Sequence, residues 1–513
     1  MRVPPINPGI AGRDAWLHVA TWLLVLVLLG NAAVHVAAVC RPLISSDNWW
    51  LLDPFLRKAV DGELAFGDFL VKRLGVDHAQ PLGKLVVWLN YRLWDLDFVY
   101  EGLLALGFAL AGLAVLYRFV LADAQAPRPP AVHALFAAIA GVFLSLNTSM
   151  IYVYSMVTLW FSLYMFSFMA MYAAWHAMAR GGPWPLAAVM LAYGIVGDDS
   201  AIMLGLALAI VLLLHGWRCG TLRRAWAAIA VMAGALAVCR GIYLAFGTFA
   251  WATDPEFSAP LGERVSALWA LRGEAWDWWA IPTSSGIAGI GALKRLFGED
   301  WQAVRTLLAV LLLAAHAWFW WKALRLRPRA AWFAAVALML LYYAHVAGLL
   351  LARVFLRGTA YLEQPRYVSF YQLGIMALLL MAIAAVLAAR EGVARRRWPP
   401  ALATSVAVAL LAWQLPLSHI AAGRVPSLVQ SNERQAAAIA EVARDPVNPP
   451  ASCSLMVCRM PEENRVGWAR LLVDEQLSLF SPRFQARHPN LAEAAGLRDS
   501  GSSAPHPPPA SPR

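Results

Sequence analysis

An all-α, polytopic membrane fold is what this sequence predicts, and three observations predict it. Of 513 residues, 60% are hydrophobic and only 14% are charged, against roughly 25% charged in soluble domains. Mean hydropathy is +0.57. The apolar residues also arrive in runs close to the roughly 20 residues that a helix needs to cross a bilayer. This composition excludes a soluble globular enzyme and a disordered chain. It also excludes a nucleic-acid binder, although Lys+Arg (42) exceeds Asp+Glu (31). Five cysteines are too few for a disulfide scaffold or a cysteine-rich metal protein.

The runs resolve into about eleven spans, at 15–39, 98–121, 132–147, 150–177, 185–196, 201–215, 225–247, 301–324, 331–351, 367–389 and 401–420. The third, fifth and sixth are short. The fifth and sixth are either tilted or a broken pair around Gly197-Asp198-Asp199-Ser200. The first span is too long for a cleavable leader and no small-residue cleavage site follows it, so it is expected to remain as an anchor.

Lys and Arg of short loops mark the cytoplasmic side. With the N-terminus inside, Arg118, Arg128, Arg180, Arg218, Arg223, Arg224, Lys322, Arg325, Arg327 and Arg329 all fall there, with Arg390 and Arg395–Arg397 after them. The short outside connections, 148–149 and 197–200, carry no Lys or Arg. Much of the net +11 is therefore topology. The implied layout is a multi-pass protein of a bacterial inner (plasma) membrane, N-terminus cytoplasmic and C-terminus periplasmic. Residues 1–420 form the membrane domain, with outer loops at 40–97, 248–300 and 352–366. A small outer segment follows over 421–499, and a Ser/Pro-rich tail over 500–513 is expected to be disordered. Cys453 and Cys458 fall in the outer segment, in an oxidising compartment on this orientation, where pairing is open to them. No internal repeat is visible, which argues against inverted-repeat transporters.

The first outer loop carries the most chemistry. Asp47 sits a few residues beyond the first span, Trp49 and Trp50 follow it, and Asp53 comes next; Trp settles at membrane interfaces. Further on, Pro81-Leu82-Gly83-Lys84 opens a segment to residue 96 with apolar residues at helical spacing and polar Asn90, Arg92 and Asp95. That pattern predicts an amphipathic helix lying in the interface. A carboxylate beside a low-dielectric pocket is able to take a proton from a hydroxyl; the plainer alternative makes Asp47 a helix cap or a solvated loop acid. Asp198 and Asp199, between two short spans, either face a cavity or lie in an exposed turn capping the next helix. No His or Cys stands at ligand spacing around them, which argues against a dedicated transition-metal site, while a divalent cation bridging these acids and a phosphate is chemically allowed.

The order of long span, acid, and loop ending in a Pro-Leu amphipathic helix resembles the opening of the GT-C membrane glycosyltransferases. Asp77-His78-Ala79-Gln80-Pro81-Leu82-Gly83-Lys84-Leu85 is similar to the matching loop of protein O-mannosyltransferases and lipid A aminoarabinose transferases. Arg366-Tyr367 is similar to an Arg-Tyr that starts a later span in related bacterial membrane proteins. The resemblance covers the first hundred residues best and the helix layout loosely. It implies an inverting transferase on the periplasmic face. The donor would be a sugar on a polyprenyl phosphate, the acceptor an envelope glycan, lipid or protein, and the general base a loop carboxylate. Asp47 matches the family's first-loop acid and Asp53 is the fallback. His78 would orient the acceptor.

One departure stands out. Many members carry a second acid after the third span, where this chain has Asn147-Thr148-Ser149; Asp198 and Asp199 are the nearest outer-side substitutes. A polyprenyl phosphate also needs cations at the outer boundary, and bidentate Arg suits it. Arg353, Arg357 and Arg366 with Tyr367 are the preferred set, followed by Lys84, Lys72, Arg73 and Arg240. Arg240 lies inside an apolar run, where a charge is functional or snorkels to the interface. The aromatic stripe Tyr152, Tyr154, Trp160, Phe161, Tyr164 and Phe166 is expected to be helix packing rather than a lipid-tail groove. Trp276, Trp278 and Trp279 either stack a sugar or lie at the interface. The competing functions are a flippase or transporter of a lipid-linked envelope precursor, and a non-catalytic scaffold with the same fold.

Overall fold

The computed structural model describes residues 8–45, 48–49, 55–71, 79–123, 128–147, 150–197, 200–246, 259–391, 398–451, 453 and 455–497. Among these residues every regular element is helical. Nine helices are long and apolar enough to cross a membrane, and two shorter apolar helices, Pro130–Phe143 and Trp184–Gly197, accompany them. The chain is a polytopic membrane protein.

The helices used below are α1 (Pro8–Val39), α2 (Pro81–Trp94), α3 (Phe98–Asp123), α4 (Pro130–Phe143), α5 (Trp160–Arg180), α6 (Trp184–Gly197), α7 (Ser200–Cys219), α8 (Leu222–Phe246), α9 (Ala275–Ser285), α10 (Trp301–Arg325), α11 (Ala330–Leu349), α12 (Val368–Glu391), α13 (Trp398–Ala422), α14 (Val425–Arg444) and α15 (Glu462–Asp474). A helix that is apolar all round belongs in the middle of a bundle. α4 and α11 are of this kind, with Leu135–Phe143 and Ala330–Met339 buried throughout. α12 packs on both, α3 packs on α5 and α11, and α6–α8 form a sheaf against α11. At the rim, α1, α8, α10 and α13 turn Leu26, Val34, Leu244, Leu311, Leu402 and Leu415 outward, as lipid contact requires. Ala-rich faces permit the close approach that drives helix association in lipid.

At one end, Asp123 accepts from the backbone N–H of Ala330 and Ala331 at 2.8 and 2.7 Å, and Arg128 meets Asp14 at 3.3 Å. The opposite end carries the first loop and the C-terminal segment, and is called the cap side here.

The expected span over 150–177 begins later than its apolar run. Tyr154 is extended, splitting short helices Met150–Val153 and Ser155–Thr158 from α5. Thr158 Oγ1 donates to Ile151 O at 2.6 Å and to Tyr154 O at 3.1 Å, and Arg41 N donates to Val153 O at 2.9 Å. Side-chain and loop donors thus replace the missing helical bonds.

Residues 40–97 and 421–499 look like separate outer pieces along the chain, but share one core. Ile44, Trp49, Leu56 and Val87 pack against Ile439, Trp468, Leu472 and Phe484, with Trp49 and Trp468 edge to face at 6.0 Å. Asp97, 1% exposed, receives Arg487 Nε and His488 Nε2, both at 2.9 Å. Asp95 takes Ser478 N on its carbonyl at 2.7 Å and Ser481 Oγ on its carboxylate at 2.9 Å. Cys453 and Cys458 are disulfide-bonded. The tail over 500–513 lies outside the described residues.

Asn147, the residue that stands where an acid was sought, is a clamp. Its Nδ2 donates to Ser285 O at 2.8 Å and its Oδ1 accepts from Gly289 N at 2.6 Å. The clamp holds the end of α9 so near α12 that a Cβ on Gly286 would stand 2.9 Å from Tyr371 O.

Two outcomes follow. Asn147→Asp, which places a carboxylate against Ser285 O, should lower stability by about 1–3 kcal/mol, read by thermal denaturation in detergent. Arg487→Ala, which takes the charged donor from buried Asp97, should cost about 1–3 kcal/mol and expose the C-terminal segment to protease before the spans unfold.

Candidate functional site

Where α2, α5, α6, α7, α11 and α12 meet on the cap side there is a cavity of about 160 Å³. Gln80, Leu82 and Gly83 close it from the start of α2. α5 contributes Trp160, Ser162, Leu163, Tyr164 and Ser167, with Met156 and Leu159 before it. The remaining wall is Tyr193, Val196, Gly197, Ser200, His345 and Phe370. Seven residues separate Trp160 from Ser167, so the wall runs roughly 10 Å down α5 at 1.5 Å per residue. Among the described lining residues there is no Asp, Glu, Lys or Arg.

A stacked aromatic slab forms one side. Phe370 lies between Trp160, with centroids at 4.9 Å and planes 12° apart, and His345, at 4.3 Å and 11°. Tyr367 extends the slab at 6.1 Å and 20°. Over Tyr367 sits the Arg366 guanidinium, 5.0 Å from the ring centroid, and Arg366 Nη2 donates to the Tyr361 hydroxyl at 2.6 Å. A second connection is polar: Tyr164 O–H donates to Ser369 Oγ at 2.9 Å, and Ser369 Oγ donates to Arg366 O at 3.4 Å. The structure thereby joins Arg366 and Tyr367 to the cavity. Arg366 Nε is buried with no partner among the described residues.

The other expected site residues separate. Arg353 is half-buried in a π-turn, Leu350–Val354, and Arg357 is exposed after it; neither lines the cavity. Arg240 stands on the exposed face of α8 beside Val238, away from the lining. Lys84 is 4% exposed, and its ammonium donates to Asp68 O, Phe69 O and Val71 O at 2.8, 3.3 and 2.6 Å. These three carbonyls occupy its three protons, so Lys84 ties the loop down rather than facing the cavity. Burial pulls this ammonium down to about 8, against the charge of Asp68.

Asp47, Asp53, His78, Asp198 and Asp199, with Lys72 and Arg73, lie outside the described residues. Their chain neighbours differ in a telling way. Ser45, Asn48 and Trp49, around Asp47, are buried, with Trp49 in the cap core, and none lines the cavity. Gly197 and Ser200, on either side of Asp198-Asp199, both line it. Two members of the aromatic stripe, Trp160 and Tyr164, are cavity wall, while Tyr152 and Phe161 are packing. Trp278 Nε1 donates to Thr359 Oγ1 at 3.0 Å and Trp279 stands edge-on to His316 at 4.7 Å, so both are structural. No group of three or more metal-ligating side chains occurs among the described residues.

Sequence reasoning missed three positions. His345 and Tyr193 sit in apolar spans, and only their polarity marks them. Glu101 is buried in the first turn of α3, accepting from Asn90 Nδ2 and Ser155 Oγ, each at 3.0 Å. It anchors the turn whose next residue, Met156, lines the cavity; an acid one turn into a span was the available signal.

The chain matches no protein-family model, no curated protein and no solved structure.

Lys84 carries a pH dependence. Its proton is held less tightly in the folded chain than the ordinary 10.5, so between about 8 and 10.5 the unfolded chain binds more protons and stability climbs with pH. At 1.36 kcal/mol per pH unit the gain is at most about 3 kcal/mol. Denaturation of the wild type and Lys84→Met across this range should show the rise in the wild type alone.

Proposed function

We propose that the chain is a membrane glycosyltransferase of GT-C type, moving a sugar from a polyprenyl phosphate to a hydroxyl of an envelope acceptor on the outer, periplasmic face. The observation that carries this is the cap-side cavity: an aromatic and hydroxyl-lined chamber at the end of the bundle, with Arg366 stacked at its edge. A lipid-linked donor needs an apolar approach for its tail, a cation for its phosphate and a polar chamber for its sugar. The wall of α5–α7, Arg366, and the chamber itself supply these. The Cys453–Cys458 disulfide supports an oxidising compartment on the cap side. The absence of Lys and Arg from 148–149 and 197–200 supports the same orientation, and with it a cytoplasmic N-terminus in a bacterial inner membrane.

In this mechanism a carboxylate takes the proton of the acceptor hydroxyl, whose oxygen attacks the anomeric carbon as the bond to the phosphate oxygen breaks. The polyprenyl phosphate leaves, and the configuration inverts. Asp198-Asp199 is the preferred source of the base, because both flanking residues line the cavity; Asp47 is the alternative that the resemblance favours. Arg366 steadies the phosphate as it gains charge.

Lipids retained by the purified protein, read by mass spectrometry, should include a polyprenyl phosphate or its glycosylated form. Bulk phospholipid alone, with no transfer from a polyprenyl-phosphate sugar, would overturn the proposal. Asp198→Asn with Asp199→Asn should lower transfer by at least 10²-fold at unchanged melting temperature, and Asp47→Asn should be milder. The reverse ranking would move the base to Asp47.

A further inference from the structure

The cavity wall has an uneven hydrogen-bonding character. Ser162 Oγ donates to Leu159 O at 2.6 Å, and Tyr164 O–H donates to Ser369 at 2.9 Å. Ser167 donates to Leu163 O at 2.8 Å. Ser167 also donates to the Tyr193 hydroxyl at 3.2 Å. The hydroxyl protons of Ser162, Tyr164 and Ser167 are therefore turned into the protein, and what these three offer a ligand is lone pairs. Phosphate oxygens, which only accept, find no partner in them. A ligand rich in O–H groups does.

Two further side chains complete the wall. Gln80 and His345 line the cavity, and neither side chain has a hydrogen-bond partner among the described residues. His345 is fixed by its stack on Phe370 at 4.3 Å. Gln80 sits at φ 48°, ψ 56°, left-handed and immediately before Pro81. A non-glycine residue seldom adopts that conformation, and strain of this kind collects at functional sites.

We infer that this cavity is the subsite for the uncharged, hydroxylated sugar ring of the donor, read by the Gln80 amide and the His345 imidazole, and that the phosphate is excluded from it and stays at Arg366. This rests on the transferase proposal and adds to it. The hydroxyls of the sugar donate into the lone pairs of Ser162, Ser167 and Tyr164. Gln80 and His345, each able to donate and accept, distinguish one arrangement of hydroxyls from another. A buried polar group left unpaired by the wrong sugar is what makes such a site selective.

The test uses the full chain in nanodiscs, with farnesyl phosphate and its glucosyl and mannosyl phosphodiesters as probes and dissociation constants as the readout. The wild type should bind at least one glycosylated probe at least tenfold more tightly than farnesyl phosphate. Gln80→Gly, which removes the amide while relieving the left-handed backbone, should cut that advantage about tenfold without lowering the melting temperature. His345→Phe, which preserves the stack, should do the same. Affinity for farnesyl phosphate itself should be unchanged in both. Equal wild-type binding of all three probes, or variants that keep the advantage or weaken farnesyl phosphate equally, overturns the sugar subsite and leaves the lipid-phosphate donor standing. Failure of the wild type to bind any probe overturns both.

Discussion

A hydrogen-bonding group inside a bilayer has no water to turn to, and this constraint shapes three places where the bundle departs from continuous helix. Asp123 receives two of the backbone donors that begin α11. Asn147 receives one loop N–H and serves one carbonyl. Thr158 serves two carbonyls where the chain breaks at Tyr154. Each is a short polar side chain acting as a local substitute for solvent. Because these substitutes are matched by direction as well as distance, they decide where α9, α11 and α12 end relative to one another, and hence where the cavity opens.

The same accounting gives the cavity its chemistry. Hydroxyls that must donate to neighbouring carbonyls to survive in an apolar setting are left facing the chamber as acceptors. The aromatic slab of Trp160, Phe370 and His345 is rigid because both faces of its central ring are covered. Arg366 sits over Tyr367 at the end of that slab, and no Asp, Glu, Lys or Arg is among the described lining residues of the chamber.

The cap adds a second layer of organisation. It is assembled from chain segments almost four hundred residues apart, joined through Asp95 and Asp97 to Ser478, Ser481, Arg487 and His488. An acid that looks like an ordinary polar position on an amphipathic helix turns out to hold the C-terminal segment over the first loop. Trp49 is buried in this shared core, while Gly197 and Ser200 line the cavity.

Hydropathy by itself determined the membrane class and the presence of the long apolar helices, because transfer of about 20 apolar residues to lipid is a local, additive quantity. The helix after Pro81 was also legible, from residue type and spacing. Only tertiary structure decided that Asn147 is a clamp, that Lys84 is consumed by three carbonyls, and that His345 and Tyr193 share a chamber with Gln80. A side chain's role there depends on which partners claim its donors and acceptors. Those partners come from helices far apart in the chain, so no window of sequence contains them.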